Sequence, residues 1–123
     1  MITVTTFIIT GATFGALSIV FGAFGAHALK NVLSQDQLKN FETGVKYQMY
    51  HAIVLITLGF NFEYAHPVSY WFFSIGVLFF SFSIYGLVLS GAKGKKMKFL
   101  GPITPIGGLL LLLGWLTLLW KVI

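Results

Sequence analysis

Two histidines and a few neutral polar side chains are the residues of this sequence whose types and spacing suggest chemistry. His27 closes a long apolar run, and His51 lies inside the next one. Tyr47 and Gln48 stand four and three residues before His51, so the three share a helix face. Tyr50 completes this YQMYHA segment, and Tyr85 and Thr104 come from two later apolar runs. All are expected at similar depth in the cytoplasmic half of a membrane. A neutral histidine both donates and accepts a hydrogen bond, and Gln, Tyr, Ser and Thr are natural partners. Three uses stand open. The set can tie helices together. It can hold a small solute or ion, since ionisable groups inside a membrane mark functional candidates. His27 and His51 can also ligate a haem iron from facing helices. A zinc site needs three or four ligands, and the apolar runs contain no carboxylate, so no metal or other cofactor is expected. There is no acidic pair, serine elbow, phosphate loop or metalloprotease motif. The expectation is a protein without enzymatic activity.

The elements that must position these residues follow from composition. Of 123 residues, 57% are hydrophobic and 9% charged. An ordinary soluble domain carries about 25% charged residues, so a water-soluble enzyme and a disordered tail are both excluded. Apolar runs cover about residues 2–28, 47–62, 69–90 and 99–120. Each is close to the roughly 20 residues that cross a bilayer, and stretches such as LLLLLGWLTLLW lack the period of a strand. The fold expected is one all-α domain over 1–123, an antiparallel bundle of four transmembrane helices. Ser34 and Gln37 form a capping-box pattern. With Leu38, Phe41 and Val45 at helical spacing, they predict a short amphipathic interfacial helix over 34–44 that can run into the second span. The first run lacks a basic leader and is too long for a signal peptide's apolar core, so it is expected to be retained.

Orientation follows from lysine. The chain has eight lysines, no arginine, two glutamates and one aspartate, for a net charge of +5. Lys30, Lys39 and Lys46 belong to the first connection and Lys93, Lys95, Lys96 and Lys98 to the third. Only Lys121 falls on the other side. The positive-inside rule then puts both lysine loops in the cytoplasm and both termini outside a bacterial inner (plasma) membrane. Tyr64, Tyr70, Trp71, Trp115 and Trp120 are expected at the outer interface. This clustering of charge argues against nucleic-acid binding. Cysteine is absent, which removes disulfides and thiolate chemistry.

Two further patterns concern packing. Gly11, Gly15, Ser18, Gly22 and Gly25 form a small-residue stripe, the kind that lets helix backbones approach closely. It can serve packing within the bundle, a homo-oligomer or a larger membrane complex. Pro102, Pro105, Gly107 and Gly108 predict a broken or irregular entry to the fourth span.

The segments GAFGAHALK (22–30), YQMYHA (47–52), FSFSIYGLVL (80–89) and GPITPIGGLLLLLGW (101–115) occur in this order. Together they resemble the YgdD/YwdK-like family of small bacterial inner-membrane proteins, a domain of unknown function. The resemblance covers nearly the whole chain and implies a four-helix membrane protein. It brings no biochemical activity. The family's motif positions match His27, Gln48, Tyr50, His51, Pro102, Thr104, Pro105 and Gly107. The chain departs from the pattern near Phe82, where relatives tend to carry glycine, and in its lysine-rich third loop.

Overall fold

Four long helices form where the apolar runs predict them, each started by a local signal. The computed structural model describes residues 1–123 and contains α1 (Val4–His27), α2 (Gln35–Phe60), α3 (Pro67–Ala92) and α4 (Ile103–Val122). Thr3 and Thr6 form a capping box at the start of α1, and Ser34 and Gln37 form another at α2. His66 starts α3, its Nδ1 accepting the Val68 N–H at 3.1 Å, with Pro67 in the first turn. Proline suits that turn because its missing N–H would have no helical partner there.

The helices alternate in direction and zip together at small residues. Along α1 and α2 the contacts run from Gly25 on Phe41 to Gly59 on Ile8. A Cβ on Gly11 would stand 2.8 Å from the Ala52 carbonyl oxygen, so the backbones nearly touch there. Gly15 and Gly22 also face α2, and Ser18 is buried on the same stripe. The whole stripe is therefore spent inside the chain. Helices α3 and α4 meet in the same way, with Gly76 on Leu111 and Gly114 on Phe73.

Three expectations are corrected. The segment 34–44 is no separate interfacial helix; it forms the first turns of a continuous α2, because nothing after Ser34 interrupts the helical pattern. The second helix thus begins at Gln35, twelve residues before the expected start of the span. The four residues Pro102, Pro105, Gly107 and Gly108 do not break α4. Pro102 is its N-cap and Pro105 lies in its first turn, where no intrahelical N–H bond is lost. The entry before α4 is irregular as expected, a 3-10 turn over Lys98–Leu100 and a turn at Gly101 and Pro102, but the break inside a helix lies opposite, in α3, where Leu78–Phe82 form a π turn. A Cβ on Gly107 would overlap the backbone of Phe79 and Phe80. Gly107 is thus the gap into which the widened turn of α3 fits.

Three stretches, Val4–His27, Pro67–Ala92 and Lys98–Val122, are long and apolar enough to cross a membrane. Helix α2 is as long, but Asp36, Lys39, Glu42 and Lys46 dilute its first half. Two apolar clusters form the core. One joins Phe7, Phe14, Leu55, Phe73, Val77 and Leu111. The other lies toward the lysine loops and joins Leu29, Leu33, Phe41, Ile84, Tyr85 and Val88.

Candidate functional site

Where the two apolar clusters meet, Gln48 ties three helices. It is completely buried. Its Nε2 donates to the Phe14 carbonyl of α1 at 2.9 Å, and its Oε1 accepts from the Tyr85 hydroxyl of α3 at 2.7 Å. Ser18 donates to the same Phe14 carbonyl at 2.8 Å. One turn away, Ser81 of the π turn donates to the Gly44 carbonyl at 2.7 Å. Gly44 must lack a side chain, since a Cβ there would stand 2.7 Å from the Tyr85 ring.

His51 belongs to a second and separate group. Its Nε2 accepts from the Trp115 indole N–H at 3.1 Å. Indole only donates, so the proton of the ring is on Nδ1, which donates to the Tyr47 carbonyl at 2.6 Å. Both nitrogens are thereby engaged, and Phe73 packs on both rings. Phe73 lies in the second turn of α3, so this group falls in the half away from the lysine loops. The expected common depth is corrected here. It counted His51 from a helix starting at Tyr47, whereas the helix starts at Gln35. Trp115, expected as an anchor at the outer interface, is half exposed on α4 and stands level with His51, to which it gives its indole N–H.

The remaining residues of the set disperse. His27 is exposed at the end of α1. Its neighbour Gly25 packs on Phe41, and His51 follows about 15 Å further along α2. The two histidines therefore do not face one another across a shared iron position. Tyr47 and Tyr50 are exposed, with Tyr47 lying against Phe80. Thr104 bonds to Ser83, which also caps the Phe80 carbonyl of the π turn. Two more hydroxyl pairs link helices, Ser69 with Thr117 and Thr10 with Tyr70.

A cavity of about 670 Å³ opens at the lysine end. Its floor is the Ile84, Leu87, Val88 face of α3. Its walls are Gln37, Asn40 and Thr43 of α2 and Thr104 and Pro105 of α4, and Lys96 stands at its rim. Of the candidate polar-cluster and helix-break residues, Thr104 and Pro105 line it.

A protein-family model described as "Protein of unknown function (DUF423)" matches residues 21–108. A UPF0382 membrane protein of Staphylococcus haemolyticus is 42% identical over 120 residues, covering 92% of this chain and 91% of its own. UPF0382 membrane protein YwdK of Bacillus subtilis is 34% identical, covering 89% of each chain. This chain belongs to the DUF423 family. A relative in Schizosaccharomyces pombe, also named a UPF0382 membrane protein, is 38% identical over 112 residues, 85% of this chain and 91% of its own. No solved structure matches. The DUF423 match takes in Gln48, His51, Tyr85, Thr104 and the Gly107 gap, and leaves out Phe14 and Trp115, the partners of Gln48 and His51. Sequence reasoning missed Asn40 and Thr43 of the cavity. Their signal was there: with Gln37 they recur every three residues, on the face of α2 away from Glu42.

Proposed function

We propose that this DUF423 chain is a four-span membrane protein without enzymatic activity that acts by packing, as an accessory subunit of a larger membrane complex. The observation that carries this is the inward pairing of its polar groups. Gln48, Tyr85, Ser81 and both nitrogens of His51 all find their partners within the bundle. A solute carrier built on the same residues would need these atoms free toward a cavity. What remains for partners is lateral surface: the outer faces of α1 and α4 expose Ile9, Ile19, Val20, Leu109, Leu112 and Leu116. A partner's helix and lipid are both suited to such faces. The glycine stripe offers no seam for a second copy, since it is occupied by α2.

The fourth crossing is supported by the pairing of α1 and α2. They run side by side from Gly25–Phe41 to Ile8–Gly59, so α2 extends through whatever depth α1 crosses. Lysine bias supports lysine loops in the cytoplasm and both termini outside, in a bacterial plasma membrane. The test is native mass spectrometry of the protein released gently from its own membranes. A stable mass containing further polypeptides is expected. A bare chain, together with a solute flux abolished by His51→Ala in a folded protein, would overturn the proposal in favour of a carrier.

A further inference from the structure

The lysine-end cavity has a chemistry of its own that the packing role does not use. It is a groove between two walls, α2 and α4, with α3 as its floor. At about 670 Å³ it falls within the roughly 300–1,000 Å³ usual for small-molecule sites. Its floor is apolar and runs inward from Gly91 through Val88 and Leu87 to Ile84, along one face of α3. Its walls are neutral and polar. No carboxylate lines it: Glu42 projects from another face of α2, beside Gly22 and Phe41. Lys96 lines the mouth, and Lys93, Lys95 and Lys98 are exposed in the same loop, residues 91–98, which contains no acid. Gly94, with φ of +78°, turns that loop over the groove.

From this arrangement we infer that the groove seats one anionic phospholipid, its phosphate at Lys96 and the start of its acyl chains on Leu87, Val88 and Ile84. Charge decides the headgroup. Lysines without neighbouring acids attract a net negative lipid, whereas a choline headgroup brings its own cation to the same lysines. The apolar floor decides for a lipid over a soluble anion, because a free phosphate would leave that floor uncovered. Basic pockets between membrane helices bind acidic lipid headgroups by this logic. Asn40 and Thr43 supply neutral hydrogen-bonding groups at the level of a glycerol backbone.

The experiment is native mass spectrometry of the detergent-purified, delipidated full chain, titrated separately with phosphatidylglycerol, phosphatidylcholine and glycerol phosphate. One phosphatidylglycerol should be retained in preference to phosphatidylcholine. Lys96→Gln should weaken that retention about fivefold, as expected for one lysine near the surface. Leu87→Trp should fill the groove and abolish selective retention, with folding checked by circular dichroism. Lys121→Gln, at the far end of the molecule, should leave retention unchanged. Equal retention of the two lipids overturns the inference. So does retention unaffected by Leu87→Trp in a folded protein, which would make the loop a diffuse basic surface. Displacement of the lipid by millimolar glycerol phosphate would instead mark a soluble-anion site, and likewise overturn it.

Discussion

A single carboxamide serves as the junction of three helices, and its amide geometry explains why glutamine is needed at position 48. The NH₂ group faces a carbonyl and the oxygen faces a hydroxyl. Leucine would fill the space but leave Tyr85 and Phe14 without these partners. Glutamate would keep the Tyr85 bond and turn an oxygen toward the Phe14 carbonyl. Interhelical hydrogen bonds in membranes contribute about 0.6 kcal/mol on average and rarely above about 1.7. Gln48→Leu, which removes two, should therefore lower unfolding stability in detergent by about 1–3 kcal/mol. Gln48→Glu should lower it at least as much. His51→Ala removes one interhelical bond, to Trp115, together with the local bond to the Tyr47 carbonyl, and should cost at least about 0.6–1.7 kcal/mol. Denaturant titration followed by tryptophan fluorescence measures all three; a Gln48→Glu protein as stable as the parent would refute the junction. At this scale the sequence disclosed residue types and helix faces but not partners. Tyr47, Gln48 and His51 share a face by spacing, yet one is exposed and the other two join different groups. Trp115 shows why: an aromatic ring near a span's end suits an interface equally well, and only the neighbouring helix decides.

Helices reveal their starts more readily than their contacts. Ser34 and Gln37 were legible as a cap because the signal lies within four residues, and Ser34→Ala should lower stability by about 1 kcal/mol. The start of α2 is harder to read, for the opposite reason. Charges at Asp36, Lys39, Glu42 and Lys46 read as a loop, although α2 carries them through its first three turns. The π turn of α3 had no local signal at all. It arises where α3 presses its Phe79–Phe80 backbone into the gap left by Gly107. A methyl group at Gly107 meets backbone, which cannot swing aside, so Gly107→Ala should destabilise by about 1–3 kcal/mol. Gly15 is the contrasting case: its added Cβ would stand 3.8 Å from the Ala52 Cβ, an ordinary contact. Gly15→Ala should be neutral, or stabilise by up to about 1 kcal/mol through helix propensity. Thermal unfolding of the two variants side by side checks the pair, and equal losses would refute the close fit at Gly107.

Across the whole molecule, polarity is distributed so that the two ends differ. The lysine end contains the groove and seven of the eight lysines, five in its connections and two in the charged first turns of α2. The other end presents Tyr64, Trp71 and Trp120 on its surface. This asymmetry was legible in the sequence because charge bias is a property of whole loops and survives errors in helix boundaries. It predicts one orientation, and the chain suits the test because it has no cysteine of its own. Single cysteines at Lys95 and at Glu63 should respond oppositely to a membrane-impermeant maleimide. In intact bacterial cells Glu63→Cys should be labelled and Lys95→Cys protected until the membrane is opened. Moving charge should weaken that bias. With Lys93, Lys95, Lys96 and Lys98 all changed to Gln, the lysines divide three against one rather than seven against one. A fraction of molecules should then expose the third loop. Labelling of Lys95→Cys in intact cells by the otherwise unaltered chain would reverse the orientation. Labelling of both sites there would argue that more than one topology coexists, which the tight pairing of α1 with α2 and α3 with α4 permits only if each molecule inserts whole in one direction or the other.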